Sequence, residues 1–433
     1  METVKRSSTK KQILLILLCS LVYCVAYVGR KSFNVNIVNV IHEFGVDEDA
    51  AGLPASFFFF AYGIGQIVNA FLCKFYPKRF IIAGALLASS VINCVMYFLP
   101  ATLDAFAAIK FLWLANGVFQ SVLWSTLILT LSENIEKRLL KYGILAMSIS
   151  FPLGTILVYG GGAIFSLPAI DFYRGTYLYA IVVMVIMAIL WFVSYNILTA
   201  EKPLLEQPEE PVEEEKKKST VGGIPAILIG LVVVCAFFAI ADNLIKDGTE
   251  YWAPRIFETT FGLKISESLA FTLVLPICGF FGSAFALFVN KFIKDFRSLT
   301  GVFYFFTSIC LGALYFILKF GGNSTLMLVL SVALLGIIAL LGHGINDILL
   351  SIMPLTLREK VNAGLLTGIL NGFCYVGSTI STYVLAVIGK NFGWNAAILT
   401  LLWVSVGVTA LAAVTTLIHL IKSKKQANQE PVK

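Results

Sequence analysis

Charge is scarce in this chain. Only 13% of its 433 residues are Asp, Glu, Lys or Arg, about half of the roughly 25% found in soluble domains, too few to cover the surface of a water-soluble fold of this length. Histidine is rarer still, with three residues. No Gly-rich loop ends in Lys-Ser/Thr to cradle a phosphate, and there is no His-Glu-x-x-His and no nucleophile elbow. These absences argue against an enzyme, and no cofactor or metal is expected. The run "GGGAIF" from Gly160 reads as close helix packing rather than a nucleotide loop. The eight cysteines (Cys19, Cys24, Cys73, Cys94, Cys235, Cys278, Cys310, Cys374) fall mostly inside apolar runs. They have neither metal-site spacing nor the framework of a secreted domain, and they read as small core residues.

Apolar length is what the chain has in its place. Fifty-eight per cent of the residues are hydrophobic and the mean hydropathy is +0.87, values that belong to a polytopic membrane protein. A net charge of +7 would suggest nucleic acid in a soluble chain. Here the basic residues sit in short loops between apolar runs, where they set orientation, and no nucleic-acid partner is expected. The basic start "METVKRSSTKK" followed by apolar Ile13 to Val28 resembles a signal peptide. No small-residue cleavage site follows, so it reads as a retained first span.

Runs of about 20 residues or more, long enough to cross a bilayer, occur at 12–41, 50–73, 79–99, 105–131, 140–166, 175–198, 222–257, 266–290, 298–319, 325–356, 362–389 and 394–421. The expected fold is therefore all-α, with twelve transmembrane helices. "AEKPLLEQPEEPVEEEKKKST", from Ala200, is too polar to pack. It divides the chain into a six-helix bundle at 1–199, a linker at 200–221 and a second six-helix bundle at 222–433. Lysine and arginine gather in alternate loops, around Lys5 to Lys11, Lys74 to Arg79, Lys137 to Lys141, Lys216 to Lys218, Lys291 to Arg297, Arg358 to Lys360 and Lys422 to Lys425. By the positive-inside rule both termini and the linker are cytoplasmic in a cell (inner or plasma) membrane.

The two halves repeat. "CKFYPKRFIIAG" and "NKFIKDFRSLTG" place Lys-Phe after a span with an offset of 217 residues (Lys74 to Lys291). "KYGIL" and "NAGLL" align at an offset of 221 (Gly143 to Gly364), and "FYRGTYL" and "FGWNAAI" at 220 (Phe172 to Phe392). A nearly constant offset across three matches implies two pseudo-symmetric bundles.

"YVGRKSFN" puts Arg30 and Lys31 inside the first span, and an offset of 216 carries Arg30 onto Lys246 in the seventh. Both lie near mid-bilayer at about 1.5 Å rise per residue. A cation there costs about 2.5–3.5 kcal/mol on insertion scales, so it faces a cavity or a partner. Two such cations, one per repeat, suit an anion bound at the midplane of a transporter, with arginine offering a fork of donors and lysine a point charge. A structural ion pair competes with this reading. Asp242 and Glu250 lie four residues either side of Lys246 and face the same way, and Asp347, four residues after His343, could pair across the bundle. His343 and Asp347 could also form a proton relay, or simply hydrogen-bond between helices. Lys31 points about 100° away from Arg30. Tyr23, Tyr27, Tyr62, Asn116, Gln120, Asn371 and Tyr375 could line a cavity, "SFFFFAYG" from Ser56 reads mostly as packing, and Trp113, Trp191 and Trp394 read as interface anchors.

These residues resemble the organophosphate:phosphate antiporters of the major facilitator superfamily. "YCVAYVGRKSFN" is similar to that family's first helix, with Tyr23, Tyr27, Arg30 and Lys31 in matching places. "AYG" at Ala61 to Gly63 matches the second helix, and "KDGTEYWAP" from Lys246 the seventh, with Gly248, Trp252 and Pro254 retained. The resemblance runs along essentially the whole chain. It implies two pseudo-symmetric six-helix bundles, alternating access and phosphate recognition by one basic residue from each half. The chain departs from the family at four places: Lys246 replaces the second arginine, Gln66 a lysine, and Pro152 a histidine, while Cys73-Lys74 and Asn290-Lys291 replace the loop Asp-Arg signature. The expected function is secondary transport of a small organic anion, an organophosphate such as a sugar phosphate or glycerol phosphate exchanged for phosphate. Arg30 and Lys246 would clamp the anion, and Tyr23, Tyr27, Tyr62 and Gln66 would hold the rest. One alternative is a proton-coupled symporter of a carboxylate or sugar-like solute, using Asp347 and His343. Another is a transporter-like membrane receptor for a phosphate ester. The expected partners are the anion and the lipid bilayer, and the chain is expected to be a monomer.

Overall fold

The computed structural model describes residues 8–199, 226–357, 361 and 363–427; the expected linker at 200–221 lies outside them. Regular structure among the described residues is helical throughout. Among the described residues, twelve helices are long and apolar enough to span a bilayer: Thr9–Val35, Glu48–Phe75, Lys78–Phe98, Leu103–Asn134, Arg138–Phe165, Gly175–Thr199, Ile229–Phe261, Ile265–Asn290, Phe296–Phe320, Thr325–Thr356, Gly364–Phe392 and Trp394–Ile421. They follow the apolar runs closely, because a helix satisfies every backbone polar group internally and lipid allows little else. Several starts carry a side-chain cap for the orphan N–H groups. Ser8 accepts from the Lys11 N–H, Thr102 from Ala105, Asp295 from Ser298 and Ser324 from Met327.

Three spans are less regular than their hydropathy. The first apolar run breaks at Asn36 into Thr9–Val35 and a short helix Ile37–Phe44, which ends on Gly45 at φ +61°, the left-handed cap that glycine adopts most cheaply. The eighth is three pieces, Ile265–Thr272, Val274–Phe280 and Gly282–Asn290. Pro276 cannot donate to the preceding turn and sits just after the break at Leu273. In the tenth, Thr325–Asp347 runs into a π-helical turn at Ile348–Ile352, and the Thr367 hydroxyl donates to the Leu350 carbonyl within it at 3.0 Å.

The chain forms two compact units. The first comprises the described residues of Met1–Val46, Leu53–Pro225 and Ile265–Leu273, and the second those of Asp47–Gly52, Ala226–Lys264 and Val274–Lys433. In the first unit the first span packs on the fifth and the third on the sixth, around a core that includes Leu15, Val22, Leu123, Leu127, Met184 and Trp191. In the second unit the seventh packs on the eleventh and the ninth on the twelfth, the same pairings displaced by six spans. The closest approaches also correspond. A Cβ on Gly154 would overlap the Cys24 carbonyl of the first span, and one on Gly377 would overlap the Ile240 carbonyl of the seventh. Ser90 donates to the Ile181 carbonyl across the third and sixth spans, and Ser308 to Ser405 across the ninth and twelfth. The weak sequence repeat is thus a repeat of packing. Large apolar side chains such as Phe71, Phe98, Phe292 and Phe320 are exposed, as befits surfaces that meet lipid.

The tryptophans depart from the expected interface role. Trp113, Trp191 and Trp394 are buried and pack on Phe33, Tyr195 and Trp252 respectively. Large flat rings at these positions fill helix crossings.

Candidate functional site

Each unit carries one buried cation of the repeat-related pair. In the first unit Arg30 is 5% exposed and its Nε donates to Gln120 Oε1 at 3.1 Å. The guanidinium carbon lies 4.2 Å from the ring centroids of both Tyr27 and Tyr62, with Phe58 at 5.7 Å and Tyr23 at 6.0 Å. Aromatic faces attract a cation through their quadrupole, and more strongly when water is excluded. The groups around the guanidinium thus include an amide and four aromatic rings.

A network of amides and hydroxyls from the third and fourth spans holds this arrangement. The Gln120 amide donates to Ser89 Oγ at 2.9 Å and Asn116 Oδ1 at 3.3 Å, and Ser89 Oγ donates to Asn116 Oδ1 at 2.7 Å. Asn93 and Asn116 both donate to the Gly29 carbonyl, at 3.3 and 3.4 Å, and Ser32 donates to Asn93 at 2.6 Å. The backbone beside Arg30 is gripped by Asn93 and Asn116, and Asn116 also accepts from the Gln120 that orients the side chain. Buried polar groups cost dearly unless partnered, and here they satisfy one another. Gln66 donates to the Tyr62 hydroxyl at 2.7 Å, and Tyr23 packs on Tyr27 and Trp124. The structure thus brings together Arg30, Tyr23, Tyr27, Tyr62, Gln66, Asn116 and Gln120. Sequence reasoning missed Ser89, Asn93, Ser32 and Phe58. The signal for Ser89 and Asn93 was two polar residues four apart, one helical turn, in an otherwise apolar third span.

The second unit surrounds its cation differently. The Lys246 side chain is 11% exposed and its Nζ lies 3.6 Å from Asp247 Oδ1. Asp247 Oδ2 accepts from the Asn243 amide at 3.3 Å and from the Ser378 hydroxyl. Asn243 also donates to Ser378 at 3.0 Å, and Asn346 donates to Asn243 at 3.4 Å. Helical spacing singles out Asp242 and Glu250 as partners for Lys246, yet the carboxylate that bridges it is its neighbour Asp247. The long lysine stem lets Nζ swing to a residue that the i±4 rule passes over. Asp242 and Glu250 are both buried nearby, so three carboxylates share one helix stretch with a single lysine.

His343 and Asp347 are drawn to different surroundings. The His343 ring fills the space a Cβ on Gly279 of the eighth span would occupy, and its Cβ lies against Gly282. Asp347 is the last residue before the π turn and has Ser351 on its carboxylate.

The Major Facilitator Superfamily profile matches residues 19–361. Among characterised relatives, the membrane sensor protein UhpC of Escherichia coli (strain K12) is 29% identical over 98 residues, which are 23% of this chain and 21% of that protein. The chain therefore aligns with about a fifth of that relative. Among solved structures, the D-xylose–proton symporter superposes with a TM-score of 0.72 at 14% identity, covering 94% of this chain and 97% of that one. A bacterial homologue of the human lysosomal transporter Spinster, in an inward-facing and occupied conformation, gives 0.71 at 13%, with the same coverage. The nucleoside transporter NupG gives 0.65 at 12%, covering 94% and 99%. At such identities the likeness shows the fold alone. Twelve membrane-spanning helices among the described residues, a packing repeat and a family match across most of the sequence together make this chain an integral membrane protein belonging to the Major Facilitator Superfamily.

Proposed function

We propose that the chain is a secondary transporter of a small organic anion, an organophosphate exchanged for phosphate, and that Arg30 is its anion-recognising group. The observation that carries this reading is the Arg30 guanidinium, buried in the first span, oriented by Gln120 and flanked by Tyr27 and Tyr62. A guanidinium matches a phosphate or carboxylate edge with paired donors, and the Tyr27 and Tyr62 rings at 4.2 Å hold this one in place beside Gln120. Lys246 takes a lesser part, because an anion must compete with Asp247 for it. In proteoliposomes holding the full chain, labelled phosphate should enter only when phosphate or a phosphate ester is trapped inside. Entry into empty vesicles driven by a pH gradient would replace this reading with proton symport.

One observation favours a second reading. The relative UhpC is by name a membrane sensor, and the same Arg30 site would serve a receptor that binds a phosphate ester and moves little of it. Saturable binding without counterflow would select that reading.

A further inference from the structure

The acidic surroundings of Lys246 hold a group for which neither anion recognition nor fold provides a use. Asp242, Asp247 and Glu250 lie within two and a half turns of the seventh span, with Lys246 the one cation among them. Lys246 is engaged by Asp247, which Asn243 and Ser378 also hold. Asp242 is 1% exposed, and its Oδ2 makes no hydrogen bond to any described group.

The groups facing Asp242 come from several spans. Its own helix supplies Lys246 one turn on, and Asp247. From the tenth span come Asn346 and Gly342, whose missing side chain leaves room 3.6 Å from Asp242 Oδ1. From the ninth comes Tyr304, whose hydroxyl instead donates to the Phe238 carbonyl at 2.6 Å. From the eleventh comes Cys374, with Asn346 on its sulfur at 3.6 Å. The twelfth span's titratable group among the described side chains, His419, is exposed. His343 and Asp347 of the tenth are turned to Gly279 and Gly282 and to Ser351. Among the described residues, Lys246 is the cation that acts on this carboxyl.

We infer that Asp242 is a proton-binding site in the membrane interior, and that its proton selects which carboxylate Lys246 pairs with. A buried carboxylate needs a cation or several donors. With Lys246 committed to Asp247 and Oδ2 without a hydrogen bond, a proton on Asp242 would meet that need. When Asp242 releases its proton to water, one negative charge appears a turn before Lys246. The lysine then swings from Asp247 to Asp242, leaving Asp247 to Asn243 and Ser378. The ligand is a proton, and the inference holds whichever solute the chain carries.

Infrared difference spectroscopy on the purified full chain at neutral pH tests it. The wild type should show a protonated-carboxyl C=O band that is lost in Asp242→Asn and kept in Glu250→Gln. It should also be lost in Asp247→Asn, because Lys246 then turns to Asp242 and displaces its proton. If Asp242→Asn does not fold, Asp242→Glu decides: the band should persist at a shifted frequency, and an unshifted band overturns the inference. A band that survives in Asp242→Asn or Asp247→Asn, or that vanishes in Glu250→Gln, overturns the inference.

Discussion

Arg30 and Lys246 occupy corresponding places in a duplicated architecture, yet their surroundings are chemically opposite. Arg30 is set by an amide, two tyrosines and a phenylalanine, Lys246 by a carboxylate, with two more close by on the same helix. Duplication preserved the scaffold, as the matching helix pairings and the Gly154 and Gly377 contacts show. The sites diverged through side chains that leave the packing untouched. A repeat therefore locates a functional position, while the neighbours at that position decide what it does. In the proposed reading Arg30 meets the anion, whereas Lys246 lies against Asp247.

The sharpest break of this contrast is Arg30→Ala. Losing a desolvated charge that contacts ligand costs about 2–5 kcal/mol, so phosphate counterflow should fall by about 30-fold or more. A rate within threefold of wild type would remove Arg30 from recognition. Gln120→Leu, which deletes the Nε partner and leaves Ser89 and Asn116 short of a bond, should cost about 1.5–3 kcal/mol in anion affinity, read by binding titration with phosphate. Gly154→Ala and Gly377→Ala should each lower thermal stability by about 1–3 kcal/mol through overpacking. Similar losses from the two would support equivalence of the scaffolds, and a loss from only one would break it. Asp247→Asn should leave phosphate binding within about threefold of wild type, because Lys246 passes to Asp242 instead of being freed; a gain of about tenfold or more would show that Asp247 alone withholds the lysine from the anion. The smallest effect is expected away from both cations. Arg255 bridges Glu48 and Glu258 at 2.8 and 2.6 Å, and Arg255→Gln should cost about 1 kcal/mol of stability with phosphate affinity unchanged.

Much of this was legible before the structure. Twelve apolar runs became twelve spans because lipid permits little besides helix at that length, and an arginine well inside the first of them stood out because it is expensive there. The break at Asn36, the three-piece eighth span and the π turn after Asp347 were not legible, since hydropathy reports burial and not the local hydrogen-bond register. Gln120 and Asn116 were visible as polar residues in an apolar helix. That Gln120 meets Arg30 while Asn93 and Asn116 grip the Gly29 carbonyl depends on how the first, third and fourth spans cross, and the spacing within any one span does not encode that. Asp247 was hidden for a different reason. Helical geometry directs attention to i±4, and a flexible lysine next to a carboxylate held by Asn243 and Ser378 settles on i+1.

Equilibrium binding of labelled phosphate to the purified full chain, compared among wild type, Arg30→Lys and Lys246→Met, tests the asymmetry most directly. Arg30→Lys keeps the charge but loses the fork, and it should weaken binding by about tenfold or more. Lys246→Met removes a charge already balanced by Asp247 and should change binding by less than about threefold. The opposite order, with Lys246→Met abolishing binding and Arg30→Lys leaving it intact, would contradict the account.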